Sequence, residues 1–124
     1  MTTRTPKFTS PLVVAIVPDD ERPVRLKEPL TFVTAWNYII EVPIGFQSDL
    51  ASIPRIARPF WSRLDGETAA AAVLHDYLYA THMTSRLQAD NIFYEALNAS
   101  GVRAFKRTVM WLAVRTFGGQ FWLS

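Results

Sequence analysis

Two hydrophobic rhythms divide this chain. Up to about residue 64, apolar residues come in short β-branched runs broken by proline, and all eight prolines fall between Pro6 and Pro59. Leu12 to Val17 predicts a short strand, and Asp19-Asp20-Glu21-Arg22-Pro23 predicts a turn. Leu30 to Val42 alternates weakly and is rich in Thr, Val, Ile, Trp and Tyr. That pattern fits one long strand, or a hairpin bent near Ala35-Trp36-Asn37. Pro43 and Gly45 end it.

From Gly66 on, proline disappears and the period becomes helical. The first predicted helix covers about 66–81 and is apolar nearly all round, the mark of a buried central helix. The second begins at Ser85, where Ser85-Arg86-Leu87-Gln88 reads as a capping box. It is expected to end near Ser100, with Gly101 as a left-handed cap. The third covers about 103–117 and closes at Gly118-Gly119, with Val109, Met110, Leu112, Ala113, Val114 and Phe117 as its apolar set. Strands first and helices after predict an α+β fold. Residues 1–124 form one domain: a β-rich part over 1–64, packed on a three-helix unit over 65–119 that contains an antiparallel helix hairpin. Residues 120–124 are an apolar tail.

The helical half carries the candidate chemistry. Val73-Leu74-His75-Asp76-Tyr77-Leu78-Tyr79 puts a histidine and a carboxylate side by side in an apolar helix, and the chain has only two histidines. Ionisable groups avoid such places unless paired. On the second helix, Leu87, Asp90, Tyr94 and Leu97 follow i, i+3, i+7, i+10 spacing, which sets Asp90 in a core-facing stripe. The short link Thr81 to Thr84 makes the two helices an antiparallel hairpin. His75 lies about two turns before that link and Asp90 about two turns after, so the two come level. A His75–Asp90 hydrogen bond follows, with Asp90 fixing the imidazole tautomer. Tyr79, one turn beyond His75 on the same face, is placed to donate its hydroxyl to Asp90. Asp76 adds a second carboxylate about 100° round the helix from His75. It is a candidate cation ligand. Asp49, in the loop Val42 to Pro54, is a second one, with oxygen chemistry suited to calcium.

Composition narrows the choices. A chain of 124 residues, 49% apolar and 13% aromatic, has enough material for a real core. With no cysteine, disulfides and cysteine-based zinc sites are excluded. The net charge of +2 gives no reason to expect specific nucleic-acid binding. No apolar run reaches the roughly 18 residues of a membrane span, and the first residues lack the apolar stretch of a signal peptide. Zinc held by His75 and His82 alone is a weak site. Ser52 lacks a G-x-S-x-G elbow, and no glycine loop cradles phosphate. Arg103, Arg107, Trp111 and Arg115, flanked by Lys106, form a basic stripe on the third helix, most simply a solvated face. Arg55, Arg58 and Arg63, with Phe60 and Trp61 among them, form a second basic and aromatic patch.

Two resemblances rest on these residues. Val42-Pro43-Ile44-Gly45-Phe46, Ser48 to Pro54, Ala71 to Tyr79, Ser85-Arg86, Ala89-Asp90-Asn91-Ile92-Phe93 and Ala113 to Gly118 resemble a phage-encoded family known as domain of unknown function thirteen-fifty-three. That resemblance implies a tailed-phage or prophage origin, synthesis in the host cytoplasm, and virion proteins or a host-envelope component as partners. It implies no activity. Locally, His-Asp-x-x-Tyr followed by Asp-x-x-Phe is similar to the core of small calcium-dependent secretory phospholipases. By that resemblance His75 is the general base, Asp76 binds calcium, Asp90 orients His75 and Tyr79 braces Asp90. The chain departs from those enzymes in lacking cysteine and a glycine-rich calcium loop. Two functions are therefore expected to compete: a calcium-assisted ester or lipid hydrolase, and a non-enzymatic tail or assembly protein whose His-Asp pair only ties helices together.

Overall fold

The structure is a computed structural model, and it describes residues 5–48 and 66–123. The α+β order expected from the sequence is present: among the described residues six short strands precede four helices. The strands are β1 (Lys7–Phe8), β2 (Val14–Ile16), β3 (Val24–Leu26), β4 (Leu30–Val33), β5 (Ile39–Val42) and β6 (Gln47–Ser48). They form two antiparallel three-stranded sheets, ordered β1-β4-β5 and β2-β3-β6.

The weak alternation between Leu30 and Val42 resolves into a hairpin. Phe32 pairs with Ile40 and Leu30 with Val42, and all four side chains are buried. Period-two alternation thus gives one core face. The turn is set by Asn37, whose φ of 63° is left-handed. Asn37 N–H donates to the Thr34 carbonyl at 3.1 Å, and Thr34 N–H to the Tyr38 carbonyl at 2.9 Å. This is the three-residue loop that ends in a left-handed residue. Asn supplies it because it tolerates that conformation better than most side chains.

The helices are α1 (Gly66–Thr81), α2 (Arg86–Ala99), α3 (Ala104–Phe117) and α4 (Gly119–Leu123). Both ends of α2 follow the sequence. Ser85 accepts from Gln88 N–H while the Gln88 side chain accepts from Ser85 N–H, the full capping box. At the other end Val102 N–H reaches the Leu97 carbonyl, Gly101 N–H reaches that of Asn98, and Gly101 has a φ of 88°. Those two bonds satisfy carbonyls that the helix end would leave open, and buried Val102 seals them.

Two sequence expectations about faces are corrected. Leu87 is half exposed, and the buried side of α2 is Ala89, Asp90, Ile92, Phe93, Ala96 and Leu97. On α3 only Met110, Ala113 and Val114 are buried, while Leu112 and Phe117 are exposed. A short helix has several apolar arcs, and the one that packs is chosen by neighbours distant in sequence. The apolar tail is also more than a tail: residues 119–123 form α4 and dock on the α1–α2 turn.

The core joins the two halves. Phe32, Ile40 and Val42 from the sheet belong to one apolar cluster with Val73, Leu74, Phe93, Leu97 and Met110 from the helices. Among the described residues no helix is long and apolar enough to cross a membrane.

Candidate active site

Asp90 is the centre of the site. It is fully buried on α2, one helical position from Ala89 and three from Phe93, both also buried. Its carboxylate accepts three hydrogen bonds. His75 Nε2–H donates to Oδ1 at 2.7 Å, and Tyr79 Oη–H donates to the same oxygen at 2.7 Å. Arg115 donates to Oδ2, also at 2.7 Å. The antiparallel hairpin therefore brings His75, Tyr79 and Asp90 together as the spacing predicted. His75 and Tyr79, one turn apart on α1, share a face, and their rings lie 4.2 Å apart between centroids. The Phe93 ring also packs against the imidazole, 4.6 Å away between centroids.

The basic stripe expected on the third helix, which includes Arg115, is broken up in the structure. Arg115 neutralises Asp90. Arg107 donates to the Val102 carbonyl and lies over the Tyr94 ring. Trp111 donates to Asn91. A buried carboxylate without a cation would be costly, and Arg115 removes that cost. Helical spacing located Arg115 on a face but carried no sign of what that face meets.

Arg86 is the second residue that sequence reasoning left without a role. Its Nε donates to Tyr79 Oη at 3.2 Å, and its NH2 group donates to the Val114 and Arg115 carbonyls at 2.8 Å each. These carbonyls lie in the last turn of α3, where that of Val114 also accepts from Gly118 N–H. One guanidinium thus caps α3 and orients Tyr79.

The electrostatics follow from this geometry. Burial pushes the Asp90 carboxyl upward, but hydrogen bonds from His75, Tyr79 and Arg115 outweigh it and hold Asp90 below its ordinary value of 3.8. Tyr79 moves far in the other direction, because burial and the adjacent Asp90 carboxylate both oppose phenolate. Tyr79 is therefore a hydroxyl donor at all ordinary pH. Among the described residues, the hydrogen bond of the His75 ring is made through Nε2, so Nδ1 is the ring nitrogen turned from Asp90.

Asp76 lies beside His75 and is 7% exposed. The guanidinium of Arg22, from the turn between β2 and β3, approaches its Oδ2 at 3.6 Å. A cation thus already faces the carboxylate proposed for calcium. Among the described residues no cluster of three or more His, Asp or Glu side chains offers a metal site. Asp49, the other predicted ligand, lies outside the described residues, as do Ser52 and the Arg55–Arg63 patch. His82 is not a metal partner of His75. It sits at the end of α1 with a φ of 54°, stacks on Trp122 at 3.8 Å and donates to the Trp122 carbonyl at 2.8 Å.

Comparison with known proteins agrees with the pattern of residues. A family model described as "Protein of unknown function (DUF1353)" matches residues 24–114. The chain is 34% identical to uncharacterized protein y4jT of Sinorhizobium fredii over 87 residues, which is 67% of this chain and 25% of that protein. It is 28% identical to uncharacterized protein y4iH of the same organism over 112 residues, 90% of this chain and 47% of that one. The chain thus spans a quarter to about half the length of these curated relatives. No solved structure matches it significantly.

Proposed function

The chain belongs to the DUF1353 family, and from that premise and the site geometry we propose that it is a hydrolase of ester or lipid substrates with His75 as general base. The observation that carries this reading is the paired acceptance at Asp90 Oδ1. An imidazole whose Nε2–H is held by a buried carboxylate presents Nδ1 as the proton acceptor, the arrangement that general-base catalysis uses to activate water. Asp90 orients the ring. Tyr79 and Arg115 hold Asp90, and neither touches the reacting atoms.

Calcium enters the proposal through Asp76 and Asp49. Asp76 fits in kind, since calcium takes hard oxygen donors, but the described residues supply too few of them. A bound calcium ion would polarise an ester carbonyl. The phage or prophage origin, and a virion or host-envelope partner, belong to the same proposal and rest on the sequence resemblance.

A second reading has its own observation. His75 is 6% exposed, and Asp90 takes bonds from α1 and α3 at once. That is also how a polar pin ties three helices in an assembly protein. An ester and phospholipid hydrolysis assay, with calcium or with a chelator, separates the two. The hydrolase reading expects turnover that falls roughly 10²–10⁴-fold in His75→Ala. Calorimetric titration with calcium tests the metal independently of turnover, through Asp76→Asn. Equal rates for wild type and His75→Ala, with no calcium effect, leave the pin.

A further inference from the structure

A groove of about 510 Å³ runs between the tip of the β4–β5 hairpin and the outer face of α2, on a side of α2 away from Asp90's network. One wall holds Trp36 and Tyr38, which are 65% and 48% exposed. The other holds Gln88, Asn91 and Glu95. We propose that this groove is a binding site for a neutral oligosaccharide.

Each polar group on the α2 wall is committed at one end and offers the other. Gln88 uses its carbonyl oxygen to accept from Ser85 N–H at 3.0 Å, so its amide N–H pair is left for a ligand. Asn91 uses its oxygen to accept from Trp111 Nε1–H at 3.1 Å, which leaves its N–H pair in the same way. Glu95 accepts from Ala35 N–H through Oε1 at 3.1 Å, and Oε2 remains as an acceptor. Scaffold bonds thus fix the orientation of two donor pairs and one acceptor along about two turns of helix.

That set selects its ligand. A polyol hydroxyl both donates and accepts, so a sugar satisfies amide donors and a carboxylate acceptor together. The exposed indole and phenol faces offer flat apolar surface to the C–H face of a pyranose ring. Among the described residues, phosphates and carboxylates find no Lys, Arg or His in the lining. An ammonium ligand would be drawn to Glu95 and the aromatic faces but would meet the two amide N–H pairs with the wrong sign, and the choline titration below tests it. A proline-rich peptide supplies carbonyls for the amides but few N–H groups for Glu95. The volume lies within the usual range of small-ligand sites.

The groove and the His75 site are independent, so the test is chosen to leave hydrolysis aside. Intrinsic tryptophan fluorescence and calorimetry are followed while the protein is titrated with chitotriose, cellotetraose and maltotetraose. Choline chloride and a proline decapeptide are titrated in parallel. A saturable response to at least one saccharide is expected. Trp36→Ala should weaken it about tenfold or more, the scale of one lost aromatic contact. Trp111→Phe should weaken it as well by releasing Asn91, with far-ultraviolet circular dichroism unchanged. The proposal is overturned if no saccharide saturates, if choline or the peptide binds instead, or if binding survives Trp36→Ala.

Discussion

Gly118 lies so close to Tyr79 that a Cβ at position 118 would stand 2.8 Å from the Tyr79 hydroxyl oxygen. It would also collide with the Val114 carbonyl, a backbone atom that has little freedom to move. The glycine is needed for space, since its φ of −75° is open to any residue. Gly118→Ala should therefore destabilise the protein by about 1–3 kcal/mol, as overpacking does. Urea denaturation measures the loss. Tyr79 is the side chain that must shift, so a change in its near-ultraviolet signal is expected alongside.

Asp90 holds three donors, and removing it strands them. Asp90→Ala leaves Arg115 without its buried counter-charge and His75 and Tyr79 without their acceptor. Breaking a buried pair from one side costs about 3–5 kcal/mol. Arg115 is partly exposed and can turn toward water, so the lower end of that range is expected in chemical denaturation. A loss under 1 kcal/mol would contradict a fully engaged network.

The pH dependence follows from the sign of the Asp90 shift. Its folded value is below the ordinary 3.8. The carboxylate's contribution to stability is therefore complete above that ordinary value and is lost as pH falls through the lower, folded one. Below about pH 5 the stability difference between wild type and Asp90→Asn should shrink as the solution becomes more acid. Urea midpoints at several pH values give the curve. A difference that grows as the pH falls below about 5 has the opposite sign and excludes this assignment.

Tyr79→Phe separates positioning from proton transfer. It deletes one of the two bonds at Asp90 Oδ1 and the contact with Arg86 while keeping the ring. A cost of about 0.5–1.5 kcal/mol in stability is expected. Under the hydrolase reading, turnover should fall far less than in His75→Ala, because Tyr79 touches Asp90 and not the substrate. Comparison of the two variants in one assay checks this.

Some of this was legible in the chain and some was not, for physical reasons. Ser85, Gln88 and Gly101 announce both ends of α2 because capping is local chemistry. His75, Tyr79 and Asp90 could be brought together on paper because a short link fixes the register of two antiparallel helices. Arg115 could not, since its partner lies 25 residues away and nothing in α3 records which face meets α2. Leu87 failed for the same reason: an amphipathic pattern offers candidate faces, and packing selects one. Strand β1 is two residues long, too short for any periodicity to mark it. The role of Trp122 in stacking on His82 depends on the break between α3 and α4 at Gly118, which the sequence shows only as a pair of glycines.

The bonds at Asp90 also bear on the order in which the molecule assembles. They join residues 11, 15 and 25 positions apart, whereas the Ala35–Glu95 bond that ties the hairpin to α2 spans 60. Closing short loops costs less chain entropy than closing long ones, and local contacts form sooner. The helical unit can thus knit its polar centre before the strands arrive, and the sheet then condenses on a surface already made. Pulsed hydrogen exchange during refolding should protect the amides of α2 ahead of those of β4 and β5.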